Sequence, residues 1–86
     1  MITWTSKAWE DFIVLQDRDR KSTKKVIKLI KDIERNGYIG IGKPEPLTGD
    51  LSGYWSRRID AKNRIVYKVE DGTVKIVQCG THYGDK

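Results

Sequence analysis

The sequence predicts an α+β sandwich, an antiparallel or mixed β-sheet of about four strands with two N-terminal helices packed on one face. Two observations carry this. Apolar residues recur at helical spacing through the first half of the chain, and after a glycine- and proline-rich stretch the period switches to two. A third, the dipeptide Asp71-Gly72 between two strand-like runs, marks a tight hairpin. At 86 residues and 9.9 kDa the chain is expected to form a single domain, 1–86. The 21 Val, Ile, Leu and Phe residues, about 24% of it, exceed the roughly 20% below which chains tend to stay disordered.

Met1 to Thr5 alternates Ile2 and Trp4 with Thr3 and Thr5, as a half-exposed strand does. Ser6 is then placed to cap a helix in which Trp9, Phe12 and Ile13 recur at i, i+3 and i+4. Glu10 and Asp11 are expected in its first turn, and its end near Arg18. Asp19 is expected to cap a second helix with Val26, Leu29, Ile30 and Ile33 on one face and Lys24, Lys25, Lys28, Lys31 and Arg35 around the rest, stopping at Gly37. So short a link between them predicts an antiparallel hairpin. Gly37 to Gly53 holds five glycines and both prolines, a loop long enough to suspect function. Strands are expected at 54–59, 64–70 and 73–79, forming a meander beside the first strand.

Charge and composition narrow the function. Seventeen basic and twelve acidic residues give net +5, and from Arg18 to Lys43 nine basic residues face three acidic ones. Such a segment suits a polyanionic partner, although a merely solvated lysine-rich helix has the same composition. Cys79 and His82 are the only cysteine and histidine, so no tetrahedral Cys/His zinc site can be assembled within one chain. Neither a metal nor another cofactor is expected. No run of 18 apolar residues occurs and the first ten residues do not resemble a signal peptide, so a cytoplasmic address without membrane association is expected.

Several residues could carry chemistry. Gly40-Ile41-Gly42-Lys43 superficially matches a phosphate loop, but Pro44 stands where Ser or Thr should follow the lysine and no helix is expected to begin there. Glu45 lies between Pro44 and Pro46, which hold its backbone extended, and a carboxylate on a stiff loop suits general-base work. The plain alternative is an exposed turn acid. Arg57, Arg58 and Arg64 lie at the facing ends of two strands, so at least two guanidiniums could converge on one sheet face and fork a phosphate; cross-strand pairing with Asp60 or Glu70 is the competing reading. His82 can trade a proton near neutral pH, and Tyr83 offers a ring and a hydroxyl, though a terminal His-Tyr pair alone carries little meaning. Together they form the parts of a metal-independent ribonuclease. Such an enzyme needs a base for the ribose 2′-hydroxyl, a cation for the phosphate and an acid for the departing 5′-oxygen, and it leaves a 2′,3′-cyclic phosphate.

Nearly end to end, the chain resembles the YoeB/Txe-type toxins, a branch of the RelE-like mRNA interferases of bacterial toxin–antitoxin pairs. The resemblance rests on Trp4 and Trp9, the Lys/Ile-rich second helix, GKPEPL at 42–47, LSGYWSRRI at 51–59, RIVY at 64–67 and the His82-Tyr83 pair. It implies a RelE-like fold and an endoribonuclease that cuts mRNA in the ribosomal A site, held silent by a YefM-type antitoxin whose flexible tail folds onto it. Glu45 is then the base, Arg64 the main transition-state cation, His82 the acid and Tyr83 the residue that orients substrate, with Arg57, Arg58 and Lys43 in support. Departures from the family pattern are Thr48 where a lysine is sometimes found, Gly80-Thr81 where larger side chains are common, and Gly84-Asp85-Lys86 after the His-Tyr pair. Lys24, Lys25 and Lys28 would dock on ribosomal RNA phosphates, and a homodimer is compatible with the sequence. The rival from another class is a non-catalytic basic RNA- or DNA-binding module; a groove that only receives an antitoxin segment is a third reading, compatible with the first.

Overall fold

The computed structural model describes residues 1–80. Its order is β1 (Ile2–Trp4), α1 (Ser6–Arg18), α2 (Arg20–Asn36), β2 (Glu45–Pro46), a single 3₁₀ turn (Gly49–Leu51), β3 (Trp55–Arg58), β4 (Arg64–Glu70) and β5 (Thr73–Cys79). The strands form one mixed sheet, β1-β5-β4-β3-β2, in which only the β1–β5 pair is parallel. The expected helices and meander are present. Asp71 and Gly72 take φ of 53° and 77°, the left-handed geometry at both central positions that a type I′ hairpin requires. The fifth strand, β2, is an addition: two residues, one a proline, carry no periodic signal and are tolerated because they form the sheet edge.

The second helix follows its pattern closely. Asp19 accepts from the amides of Lys21 and Ser22, Gly37 closes the C-terminus at φ 69°, and Val26, Leu29, Ile30 and Ile33 are buried against Ile65, Tyr67 and Ile76 of the sheet. The first helix differs. Thr5, not Ser6, is the cap, its hydroxyl accepting from the Ala8 amide. No acid stands in the first turn; Asp11 lies a turn further on, where it accepts from the Cys79 amide at 3.2 Å and ties the helix to β5. The inward stripe runs through Ala8, Phe12 and Leu15, so Ile13 is exposed and Trp9 stays 49% exposed, covered in part by Trp4 and Phe12 at 5.6 and 5.9 Å between ring centroids.

No helix among the described residues is long and apolar enough to cross a membrane.

Candidate active site

Directly opposed residues on neighbouring strands project to the same face, and successive residues alternate. Glu45 opposes Ser56, Ser56 opposes Val66, and Arg58 opposes Arg64. Glu45, Arg58 and Arg64 therefore share the sheet face away from the helices. Strand spacing and rise put the Glu45 and Arg64 Cα atoms about 12 Å apart, a gap that side chains of these lengths can close around one phosphodiester.

Arg58 and Arg64 are brought especially close. The Arg58 amide donates to the Gly42 carbonyl at 2.7 Å, and the Arg64 carbonyl accepts from the Gly80 amide at 2.9 Å, so their backbone groups point away from each other. Such a non-hydrogen-bonded pair brings facing Cα atoms to about 4.5 Å, the shorter of the two antiparallel separations. Two cations opposed in this way repel. The carboxylates weighed as their partners are engaged elsewhere: Asp60 accepts from the amides of Lys62 and Asn63 and from the Asn63 side chain, and Glu70 pairs with Lys75 and Lys68. Arg64 Nη1 donates to the Asp60 carbonyl at 3.3 Å, and no described carboxylate neutralises either guanidinium. Among the described residues, an anion is what this pair lacks.

Arg57, expected beside Arg58 in phosphate contact, is a correction. It lies on the opposite sheet face, is fully buried, and donates to Asp32, Tyr67 and three loop carbonyls, which leaves nothing for RNA. Strand alternation had to put one of the two neighbouring arginines inside. Asp32, the partner that sequence reasoning missed, had a legible signal: an acid three residues after Leu29, at the border of the apolar stripe of a helix otherwise rich in lysine.

Lys43 is exposed and holds φ at 52°, a left-handed backbone rarely adopted by a residue with a side chain, between Gly42 and Pro44. No helix begins there, in line with setting the phosphate-loop reading aside. A cleft of about 350 Å³ is lined by Lys25, Gly42, Lys43, Arg58, Ile59, Asp60 and Ala61. It connects α2, where Lys24 and Lys28 are exposed and Lys25 half-buried, to Arg58 on the site face. The basic helix and the site are thus joined at this edge of the molecule. His82 and Tyr83, the expected acid and orienting residue, lie outside the described residues, as does the Gly84-Asp85-Lys86 tail.

Two carboxylates that hold the scaffold titrate below the ordinary aspartate value of 3.8. The Arg57 guanidinium hydrogen bond lowers Asp32, aided by the Ile41 amide and the Asn36 side chain; the Ser22 hydroxyl and amide lower Asp19. A carboxylate depressed in the folded state contributes stability that is present above its unfolded value and is lost as pH falls through the folded value. Melting temperature is therefore expected to hold down to about pH 4 and to fall below it. Asp32→Asn should flatten that acid limb, as thermal melts across about pH 2–6 would show.

Likeness in fold and in sequence to known proteins places the chain among small bacterial toxins. A YoeB/ParE toxin from Agrobacterium tumefaciens superimposes with a TM-score of 0.90 at 43% identity, covering 95% of this chain and 98% of that one. A chain of the YoeB–YefM complex from Staphylococcus aureus gives 0.89 at 46%, covering 96% and 97%, and the S. aureus YoeB dimer gives 0.88 at 48%, covering 95% of each. In sequence, toxin YoeB of Streptomyces coelicolor is 56% identical over 82 residues, which are 95% of this chain and 98% of that protein. Residues 4–83 match the YoeB-like toxins of bacterial type II toxin–antitoxin systems, and the chain belongs to that family.

Proposed function

We propose that this toxin is an endoribonuclease that cuts mRNA in the ribosomal A site, without a metal, by attack of the ribose 2′-hydroxyl on the adjacent phosphate. The observation that carries the reading is the common sheet face of Glu45, Arg58 and Arg64. Glu45 draws the 2′-hydroxyl proton. Arg64, with Arg58 opposite, holds the negative charge that gathers on the phosphate, and His82 protonates the departing 5′-oxygen while Tyr83 orients the nucleotide. Glu45 is exposed, so the site is open to solvent and the protein alone fixes its substrate poorly. A ribosome-held message supplies the missing positioning. Lys24, Lys25 and Lys28 dock on ribosomal RNA, and the cleft through Lys25, Lys43 and Arg58 leads from that surface toward the reacting phosphate. A YefM-type antitoxin neutralises the toxin and a homodimer forms, on the likeness to the S. aureus complex and dimer.

The test is translation of a defined message with purified ribosomes and mapping of the RNA ends. A single cut per A-site codon with a 2′,3′-cyclic phosphate is expected, and a deoxynucleotide 5′ to the scissile phosphate should block it. Intact message in the presence of bound toxin would instead favour the non-catalytic nucleic-acid-binding module. Replacing Lys24, Lys25 and Lys28 together with Gln should make the slope of log affinity for ribosomes against log salt shallower by about 2–3, the loss of three phosphate contacts. An unchanged slope would remove α2 from the docking surface.

A further inference from the structure

The loop that delivers Glu45 has almost no hydrogen bonds of its own. Between Gly37 and Lys43, four residues hold positive φ: Gly37, Gly40, Gly42 and Lys43. What shapes it is the buried guanidinium of Arg57. Arginine has five N–H donors, and here every one is taken. Nε donates to the Tyr67 hydroxyl at 3.1 Å, Nη1 to Asp32 Oδ2 at 2.5 Å and the Ile41 carbonyl at 3.1 Å, and Nη2 to the Gly37 and Ile39 carbonyls at 2.8 and 3.0 Å. Three alternate loop carbonyls thus converge on one side chain. Asp32 completes the grip: its Oδ2 accepts from the Ile41 amide at 3.2 Å, so Ile41 is held at both backbone polar groups. The wrap is tight. A Cβ at Gly40 would lie 1.9 Å from Asp32 Oδ2, and one at Gly42 would lie 2.7 Å from Leu29 Cδ2.

We infer that Arg57 and Asp32 are positioning residues for RNA cleavage, an ion pair with its guanidinium buried, around which the 37–43 loop is wound so that Glu45 meets Arg58 and Arg64. The inference rests on the ribonuclease reading above. Only three residues separate Ile41 from Glu45, and the intervening Gly42 carbonyl accepts the amide of Arg58 itself. The strand that presents Arg58 to the site therefore presents Arg57 to the loop. Release of Ile41 shifts the carboxylate relative to the arginines while leaving every cation on the docking surface in place, and displacements near 1 Å can cost about 100-fold in rate.

The experiment compares wild type, Asp32→Asn and the conservative Arg57→Lys, each at a temperature where circular dichroism shows it folded. Two quantities are read: cleavage of ribosome-bound message under saturating toxin, and amide hydrogen exchange. The maximal rate should fall at least tenfold in both variants, with half-saturation for ribosomes and its salt slope unchanged. Lysine should not rescue, since one ammonium cannot reach the five positions the guanidinium serves. The amides of Ile41 and Arg58 should exchange at least tenfold faster, while that of Thr5, bonded to Ile76 in the β1–β5 region, stays protected. Folded Asp32→Asn cutting at the wild-type maximal rate overturns the inference, and so does unchanged exchange at Ile41. If wild type cuts no message, the ribonuclease reading fails and takes the positioning role with it, even where the exchange pattern is as expected.

Discussion

Glu45→Gln is expected to lower A-site cleavage by about 10²–10⁴-fold, the range seen when a positioned general base is lost, with no loss of thermal stability. The amide is isosteric with the carboxylate, Glu45 is exposed, and its place on β2 depends on backbone pairing with Ser56 rather than on its side chain. Arg64→Ala should cost about 10²–10³-fold by removing a charge aimed at the transition state. Its stability signature should differ from that of an ordinary truncation. Arg64 opposes Arg58 across a non-hydrogen-bonded pair with no described carboxylate between them, so deleting one guanidinium relieves repulsion. Melting temperature should therefore hold or rise while cleavage collapses. Glu45→Gln combined with Arg64→Ala should fall by less than the product of the single effects, because both act on one transition state. Measurement of end-mapped cleavage beside thermal melts separates these outcomes from unfolding. A normal rate in either single variant would remove that residue from the mechanism.

Strong local chemistry made much of this molecule legible. β4 and β5 begin and end where alternation and Asp71-Gly72 place them, and Asp19 and Gly37 bound α2 as side-chain capping and positive φ require. Where several weak signals competed, the sequence underdetermined the result. Thr5 and Ser6 are both good caps, and only the hydrogen bond from Thr5 to Ala8 selects between them. Trp9 and Ile13 carried the apolar pattern of α1, yet Ala8 faces the sheet because its small side chain allows the closest approach; the tryptophan rides outside on Trp4 and Phe12. At the site, the proline flanks of Glu45 pointed to a fixed, extended backbone, and β2 is that backbone paired to β3. The arginines were ambiguous for a definite reason. Alternation states that Arg57 and Arg58 face opposite ways, but which one faces inward depends on strand register, and register is set by the distant partners Asp32, Tyr67 and Ile41.

Arg57→Met is the substitution expected to cost most in stability, about 3 kcal/mol or more, because it strips the buried guanidinium's hydrogen bonds from the Gly37, Ile39 and Ile41 carbonyls, each such loss costing about 1 kcal/mol or more. For a chain of this length total stability is about 4–13 kcal/mol, so the variant loses a large share of it and approaches partial unfolding at 37 °C. Denaturant titration should show the midpoint falling with little change in slope. A second substitution distinguishes two origins of that loss. Buried ion pairs replaced on both sides by apolar residues often recover their stability, because the desolvation cost of both charges disappears together. If the Arg57–Asp32 attraction were the whole contribution, Arg57→Met with Asp32→Leu should return close to wild type. Here it should recover less than half the loss. The guanidinium also satisfies the carbonyls of Gly37, Ile39 and Ile41; in the double variant the Tyr67 hydroxyl still donates to Gly37 at 3.3 Å, but Ile39 and Ile41 lose their side-chain donor. Those two groups must turn toward water, which requires the 37–43 loop to leave its path over Leu29 and carries the neighbouring β2 edge with it. Full recovery in the double variant would mean that the loop keeps its course without its central donor.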